Sequence, residues 1–336
     1  MTAAMSSARR RRRGLVLLSA VVGLVLSACS TGPSQVNAAA IVGDKTITVD
    51  QVQELTRKAV EAEPAAKVLA DQRKLDLLSR AVLKQLVTHE LLETYARDNG
   101  ITVDSGQVGQ LSRQLSESLQ PLPTDGSVTA DIIVQQAVNK VIDPTVLAKD
   151  YLLQLKLGQQ AAPTLEVTMD YIVLAPGGPE EPTGSLRGKA EDLAKRLAAG
   201  PEQAAAVFQE EIQAGGQAMT AQKFTPSADP SIAGTLIYGT PVGNVIGFQP
   251  SAEQALWVVA VVTGRSTDAE PDPSAAQDPR LATALGPRLL QPLVDQVGVT
   301  ISPRYGVWDI GAMGVAPSAA ETAGFVVPMA EGAAKP

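Results

Sequence analysis

The stretch that most constrains this chain runs from Gln72 to Val103, QRKLDLLSRAVLKQLVTHELLETYARDNGITV. Its spacing predicts one long helix over 72–98. Leu75, Leu78, Val82 and Leu86 form one apolar stripe; Leu83, Val87, Leu91 and Tyr95 form a second. Steps of three and four put each stripe on one side of a 3.6-residue helix. Together they make an apolar face too wide for one flat contact, so several other elements must embrace the helix. Asn99-Gly100 supplies the stop, because both residues tolerate left-handed geometry at a helix end. At about 1.5 Å per residue such a helix is roughly 40 Å long, and the rest of the chain is expected to pack around it.

The material available for that packing is aliphatic. Hydrophobic residues are 45% of the 336 residues and aromatic residues only 3%. The length suggests two domains. The scarcity of aromatics argues against a stacking surface for single-stranded nucleic acid. Formal charge is −7; residues 1–28 hold five arginines and no acid, so the chain beyond them carries −12. That disfavours a nucleic-acid partner, which needs a basic footprint. One cysteine and one histidine cannot build a zinc site of the usual four-ligand kind. We therefore expect no metal and no cofactor. His89 lies inside the long helix with no serine or cysteine constellation beside it, and reads as a flank residue rather than a general base.

The first residues read as an export signal. Arg9–Arg13 form a basic region and 15–26 an apolar run of about a dozen residues, too short to span a bilayer but suited to secretion. Leu26-Ser27-Ala28-Cys29 follows and resembles the bacterial lipobox. That resemblance implies cleavage before Cys29, lipidation of its thiol, and anchoring at the extracytoplasmic face of the cell membrane. Residues 1–28 are then a signal peptide and 29–37 a tether of small polar residues. The general secretion route is favoured over the twin-arginine one, since only the arginine pair of that motif is present. With Cys29 lipidated no thiol remains for a disulfide, and the fold rests on its core. The Ala-, Val- and Gly-rich composition with few lysines is typical of high-GC bacteria and hints at an actinobacterial envelope.

Residues 38–162 read as a helical module. Ala39 to Thr48 forms a small hairpin about Gly43-Asp44. Thr48 with Gln51 is a capping box opening a helix to about Glu61. Asp104 with Gln107 opens another, to about Leu119, which the prolines at 121 and 123 end. A helix over 130–142 follows. Asp143-Pro144 places an N-cap before proline at the first helical position, and that helix runs to about Ala161. The hairpin, the helix after it and the run VLKQLVTHELLETYARDNGITV together resemble the N-terminal domain of SurA-type periplasmic chaperones and foldases. The resemblance implies a helical cradle for extended, partly unfolded clients. The Leu and Val stripes themselves read as core.

Residues 165–265 read as a small α/β domain. Its predicted order is a strand at 165–174, helices at 186–199 and 202–213, a weak strand after Gly216, a short helical piece from Asp229-Pro230 to about Tyr238, and strands near 246–248 and 255–262. That order resembles the parvulin prolyl isomerases, as do the phrases VTMDYIVL, AGGQAM, VGNV and VVTGR. Active parvulins hold paired histidines and a neighbouring Cys or Asp across the pocket floor, and twist an X–Pro bond against a barrier of about 18–20 kcal/mol. Here the first histidine position falls on Tyr171 and the last on Trp257 or Val258, and 165–265 contains no histidine. Asp170 and Tyr171 are the candidate catalytic residues if any isomerase activity remains. Strand neighbours point to opposite faces, so the two cannot line one pocket on a regular strand.

Residues 266–279 (STDAEPDPSAAQDP) read as a solvated acidic linker. Arg280–Val297 reads as a helix that Pro287 and Pro292 bend or split. Val299–Ile301 is expected to pair with the hairpin, so that residues 280–310 return to the helical module. The run Pro303–Asp309 resembles the ending of actinobacterial lipoproteins with a SurA-type N-terminal domain. Tyr305 and Trp308 read as a clasp on the module rather than a client contact. Residues 314–336, rich in Ala, Gly and Pro, are expected to be disordered.

The fold class expected is thus α+β: a SurA-N-like helical module closed by N- and C-terminal segments, plus a small parvulin-like α/β domain. The leading function is a membrane-tethered chaperone for unfolded or partly folded exported proteins. It would be independent of ATP, since no Walker-type glycine loop is present. The alternatives are an active parvulin-class prolyl isomerase and a structural envelope lipoprotein with one dedicated partner.

Overall fold

The computed structural model describes residues 37–176, 183–251 and 256–330. The export signal, Cys29 and the tether up to residue 36 lie outside the described residues, as do 331–336.

The chain opens with the hairpin β1 (Ala38–Val42) and β2 (Lys45–Thr48), turned at Gly43, whose φ of 59° suits a residue without a side chain. Thr48 Oγ1 then accepts a bond from the Gln51 amide at 3.1 Å and starts helix α1 (Val49–Ala62). A short helix α2 (Ala66–Asp71) intervenes before the long helix α3 (Leu75–Asp98). Arg73, at φ 57°, interrupts the helical path, so α3 starts three residues later than its apolar pattern suggests. Helices α4 (Ser105–Ser118), α5 (Ala130–Asn139) and α6 (Pro144–Ala161) complete the module. Asp104 caps α4 through the Gln107 amide, and Asp143 caps α6 through the Thr145 amide.

Helix α3 is the axis. Leu78, Val82, Leu83, Val87, Leu91 and Leu92 are all fully buried along it. Burial of each such side chain stabilises by about 1.5–3 kcal/mol relative to exposure. The hairpin, α1, α5 and α6 surround the helix. Strand β7 (Val299–Ile301) lies antiparallel to β1, with Ile41 opposite Thr300 and Ala40 opposite Ile301. The module is therefore closed by segments from both ends of the described chain. Tyr305 is buried and Trp308 partly buried against the same core, which makes them a clasp.

The second layer is a five-stranded antiparallel sheet in the order β10-β5-β6-β3-β4. Its strands are β3 (Glu166–Leu174), β4 (Gln217–Phe224), β5 (Asn244–Phe248), β6 (Trp257–Ser266) and β10 (Gly324–Pro328). Alternation along β6 splits its residues cleanly. Trp257, Val259 and Val261 face helices α7 (Thr183–Leu197) and α8 (Pro201–Gln213), with Leu193, Leu197 and Phe208 in that core. Val258, Ala260 and Val262 face the other way, onto Leu236, Ile237, Tyr238, Leu281 and Leu285. Two-residue periodicity is what lets one strand serve two cores.

Two expectations need correction, and a third is met. The 266–279 segment is not a free linker. Its backbone binds the end of the helical module, Ala269 N–H to Thr164 O at 3.1 Å and Asp272 N–H to Pro163 O at 2.9 Å. Its acids cap helices α9 (Pro273–Gln277) and α10 (Pro279–Leu285) through Asp272 and Asp278, and Ala275 is buried.

The helix at 280–297 is split as its prolines require, into α10, a 3-10 turn over Gly286–Leu290, and α11 (Gln291–Val297). Each break falls where a proline cannot donate its amide.

The tail from Gly314 to Pro328 is ordered. Strands β8 (Val307–Asp309) and β9 (Gly314–Ala316) form a hairpin, and β10 joins the sheet beside β5. Phe325 stacks on Trp257 at 5.8 Å, and the Arg187 guanidinium sits 5.4 Å over the Trp257 ring. Arg187 also binds the carbonyls of Ala319 and Thr322. Composition suggested disorder, but pairing, an aromatic stack and a cation hold the segment. The returning chain thus completes the sheet as well as closing the module.

Candidate functional site

The sequence singled out Asp170 and Tyr171. The structure separates them. Asp170 Oδ1 accepts the Ala221 amide at 2.6 Å, at an irregular point of β4 where Ala221 has φ 52°. Tyr171 points to the opposite face, donates to Met219 Sδ at 3.0 Å and meets Phe224 edge-on at 5.9 Å. That face is filled by Leu236, Ile237 and Tyr238, all essentially unexposed, and by α10. No cavity among those described on the protein has both Asp170 and Tyr171 on its wall.

His89 is tied rather than idle. Its Nδ1 lies 2.8 Å from Oδ1 of Asp150 on α6, and Gln85 Nε2 donates to the other Asp150 oxygen at 3.0 Å. Burial pushes the Asp150 carboxyl up, and the bond to Asp150 pushes the imidazole up. Glu93, one turn along α3, is close enough that His89, Glu93 and Asp150 present ligand atoms within 4.8 Å of one another. Counting cysteine and histidine alone overlooks such a set, because carboxylates also ligate metals. Each member already has a protein partner here, Lys149 Nζ standing 2.6 Å from Glu93.

The open space lies elsewhere. A hollow of about 530 Å³ runs between the helical module and the returning C-terminal part. Lys84 and Gln85 of α3, Gln135 of α5 and Gln154 of α6 form one side; Arg288 and Met313 stand on the other. Arg288 is almost fully buried, and its guanidinium donates to the carbonyls of Gly234, Ile310 and Gly311. Burial pulls it down to about 10, with Asp309 opposing, so it stays charged at neutral pH. It ties the sheet layer, the 3-10 turn at 286–290 and the C-terminal hairpin together at the mouth of the hollow. A second hollow of about 570 Å³ opens between the C-terminal end of α3, α6 and α11. Arg265 lies there among Leu157, Leu165 and Leu293.

The hollows were not legible in the sequence, because helical glutamines carry no periodic signal and Arg288 sits in a proline-broken stretch. Among the described residues, no helix is long and apolar enough to cross a membrane.

Against known proteins, residues 5–117 match the family described as the SurA-like N-terminal domain. Residues 38–117 of that match lie in the module whose sequence carries the resemblance. No curated protein matches the chain. Among solved structures, the peptidylprolyl isomerase PrsA from Bacillus anthracis is 14% identical, with a TM-score of 0.23, covering 66% of this chain and 99% of its own. The foldase protein PrsA from Lactococcus lactis is 14% identical, with a TM-score of 0.24, covering 79% of this chain and 94% of its own.

Proposed function

We propose that this chain, which carries a SurA-like N-terminal region over residues 5–117, is a chaperone. It holds unfolded or partly folded exported proteins at the extracytoplasmic face of the membrane, tethered by a lipid on Cys29 and without ATP. The observation that carries the reading is the hollow of about 530 Å³ left open where the helical module meets the returning chain. Apart from Leu75, which is 37% exposed, the apolar stripes of α3 are packed into the core, which leaves them little surface for clients. What remains for a client is the space between layers, lined by amides, aliphatic groups and two cations. Such a lining is mixed and sequence-tolerant, as a holder of many chains requires.

Catalysis of prolyl isomerisation has less support. A general acid or base must reach the bond it acts on. Asp170 is spent on a backbone amide, and the Tyr171 face is packed with side chains. The tether rests on the lipobox-like Leu26–Cys29 and the apolar run before it.

The test is light scattering from an aggregating, chemically unfolded client, with and without the protein from Ser30 onward. Suppression at near-stoichiometric ratios without nucleotide is expected. Identical scattering in both samples would remove the reading.

A further inference from the structure

Two hollows of the helical module meet across three glutamines. Gln85, Gln135 and Gln154 line both the junction hollow and a second one of about 400 Å³ between α4, α5 and α6. Asn139, one turn beyond Gln135, adds a fourth carboxamide. Each carboxamide offers donors and an acceptor at one tip. Those are the groups a peptide backbone must satisfy when it leaves water. Gln135 Nε2 donates to Asn139 at 3.0 Å and Gln85 Nε2 to Asp150, which fixes the two amides in place and turns their oxygens free for another donor.

The ends of this trough differ. At the α4 end Leu111, Leu115 and Leu147 make an apolar wall. At the junction end stand Lys84 and Arg288, with Asp131 on the same wall. Arg288 binds carbonyl oxygens only, and Lys84 has no carboxylate paired with it among the described residues. The nearby acid, Asp309, is occupied by the amides of Gly311 and Ala323. This end therefore holds an ammonium, Lys84, with no carboxylate partner among the described residues; burial and the neighbouring Arg288 pull it down and Asp309 opposes them, and it faces an amide-lined channel with Asp131 on the same wall.

We infer that the trough binds an extended, non-native polypeptide segment. The backbone of the segment lies against Gln85, Gln135 and Gln154, its apolar side chains lie at the leucine wall, and a carboxylate lies at Lys84 and Arg288. The inference rests on the chaperone reading and locates where, and by which groups, a client is held. Recognition of backbone by carboxamides is indifferent to most of the client sequence; the cationic end adds a preference for acidic segments.

The probe is a fluorescein-labelled peptide of alternating leucine and serine with a free C-terminal carboxylate, compared with its C-terminal amide. Both are titrated by anisotropy with the protein from Ser30 onward, which retains every described residue. The acid should bind more tightly than the amide, and Lys84→Gln should erase the difference. The pair Gln135→Leu and Gln154→Leu should weaken both peptides about tenfold or more, the cost of unmade hydrogen bonds in a covered site. Unchanged affinity in a variant with an unchanged far-UV spectrum would overturn the inference, and so would equal binding of acid and amide to the unmodified protein. A benzophenone at the centre of the peptide should crosslink within 84–88, 111–115 or 135–154; crosslinks confined to other segments would also overturn it. Run beside these, the aggregation assay separates the two claims. Full suppression by the glutamine variant removes the trough and leaves the chaperone. No suppression by the unmodified protein removes the chaperone.

Discussion

Nδ1 of His89 lies 2.8 Å from Oδ1 of Asp150, and this bond joins the axial helix α3 to α6. The Asp150 side chain is 3% exposed. A buried carboxylate that loses its partner costs about 3–5 kcal/mol. We expect His89→Leu to cost about 3 kcal/mol, and the pair His89→Leu with Asp150→Leu to cost much less, measured by urea unfolding.

The same pair sets a pH dependence. His89 is raised in the fold by its bond to Asp150. Its contribution is therefore fully present below the unfolded value of about 6.5 and is lost as pH rises through the higher folded value. Asp150, raised chiefly by burial, acts in the same direction. The stability advantage of the unmodified protein over His89→Gln should shrink as pH rises from about 6.5 through the higher folded value. An advantage that grows over that range would contradict the sign.

Glu63 sits at the other end of the module with no exposed surface. Burial alone would raise its carboxyl. Bonds from Lys140, from Gln136 and from the Ala65 and Leu122 amides outweigh that and hold it below the usual range. Lys140→Met should destabilise by about 3 kcal/mol, and adding Glu63→Gln should restore part of it. The support from Glu63 is present above the unfolded value of about 4.3 and is lost as pH falls through the depressed folded value. Acid unfolding followed by circular dichroism should therefore shift in the Glu63→Gln variant.

Gly158 marks where α6 and α10 touch backbone to backbone. A Cβ there would lie 1.9 Å from the Ala282 carbonyl oxygen. In an open helix Gly→Ala stabilises by about 1 kcal/mol. At this position Gly158→Ala should destabilise, and Gly158→Val more so, with the docked 266–285 segment becoming cleavable by protease first.

The C-terminal strand depends on a similar gap. A Cβ on Gly247 would fall 2.1 Å from the Phe325 ring. Gly247→Val should expel Phe325 from Trp257 and release β10, at a cost of about 1–3 kcal/mol. Tryptophan fluorescence and trypsin cleavage after Arg187 would report it. The module around α3 should stay folded, because its core contains no residue of β10.

Much of the module was legible because its signals are local. Thr48 with Gln51, Asp104 with Gln107 and Asp143 with Pro144 each announce a helix start within four residues, and each cap is present. The two stripes of α3 marked its core role, and the strand at Val299–Ile301 was visible as a β-branched run. The misread parts depend on distant partners. Nothing near Phe325 says that Gly247 leaves it a seat. The acids of 266–279 read as solvated because capping and charge look alike in a list of residues. The His89–Asp150 bond and the glutamine trough arise only when α3, α5 and α6 come together. For Asp170 and Tyr171 the two-residue alternation of a strand predicts opposite faces, and that is where they lie.

On the proposed function, the space between layers retains non-native chains. The most direct measurement is the affinity of the protein from Ser30 onward for one polypeptide in two states: a reduced, carboxymethylated protein that cannot refold, and its native disulfide-bonded form. Prolyl isomerisation of a short X–Pro peptide would be followed in the same samples. We predict binding of the unfolded form, no detectable binding of the native form, and isomerisation at the uncatalysed rate. Failure to bind the unfolded form, or equal binding of both, would contradict the account.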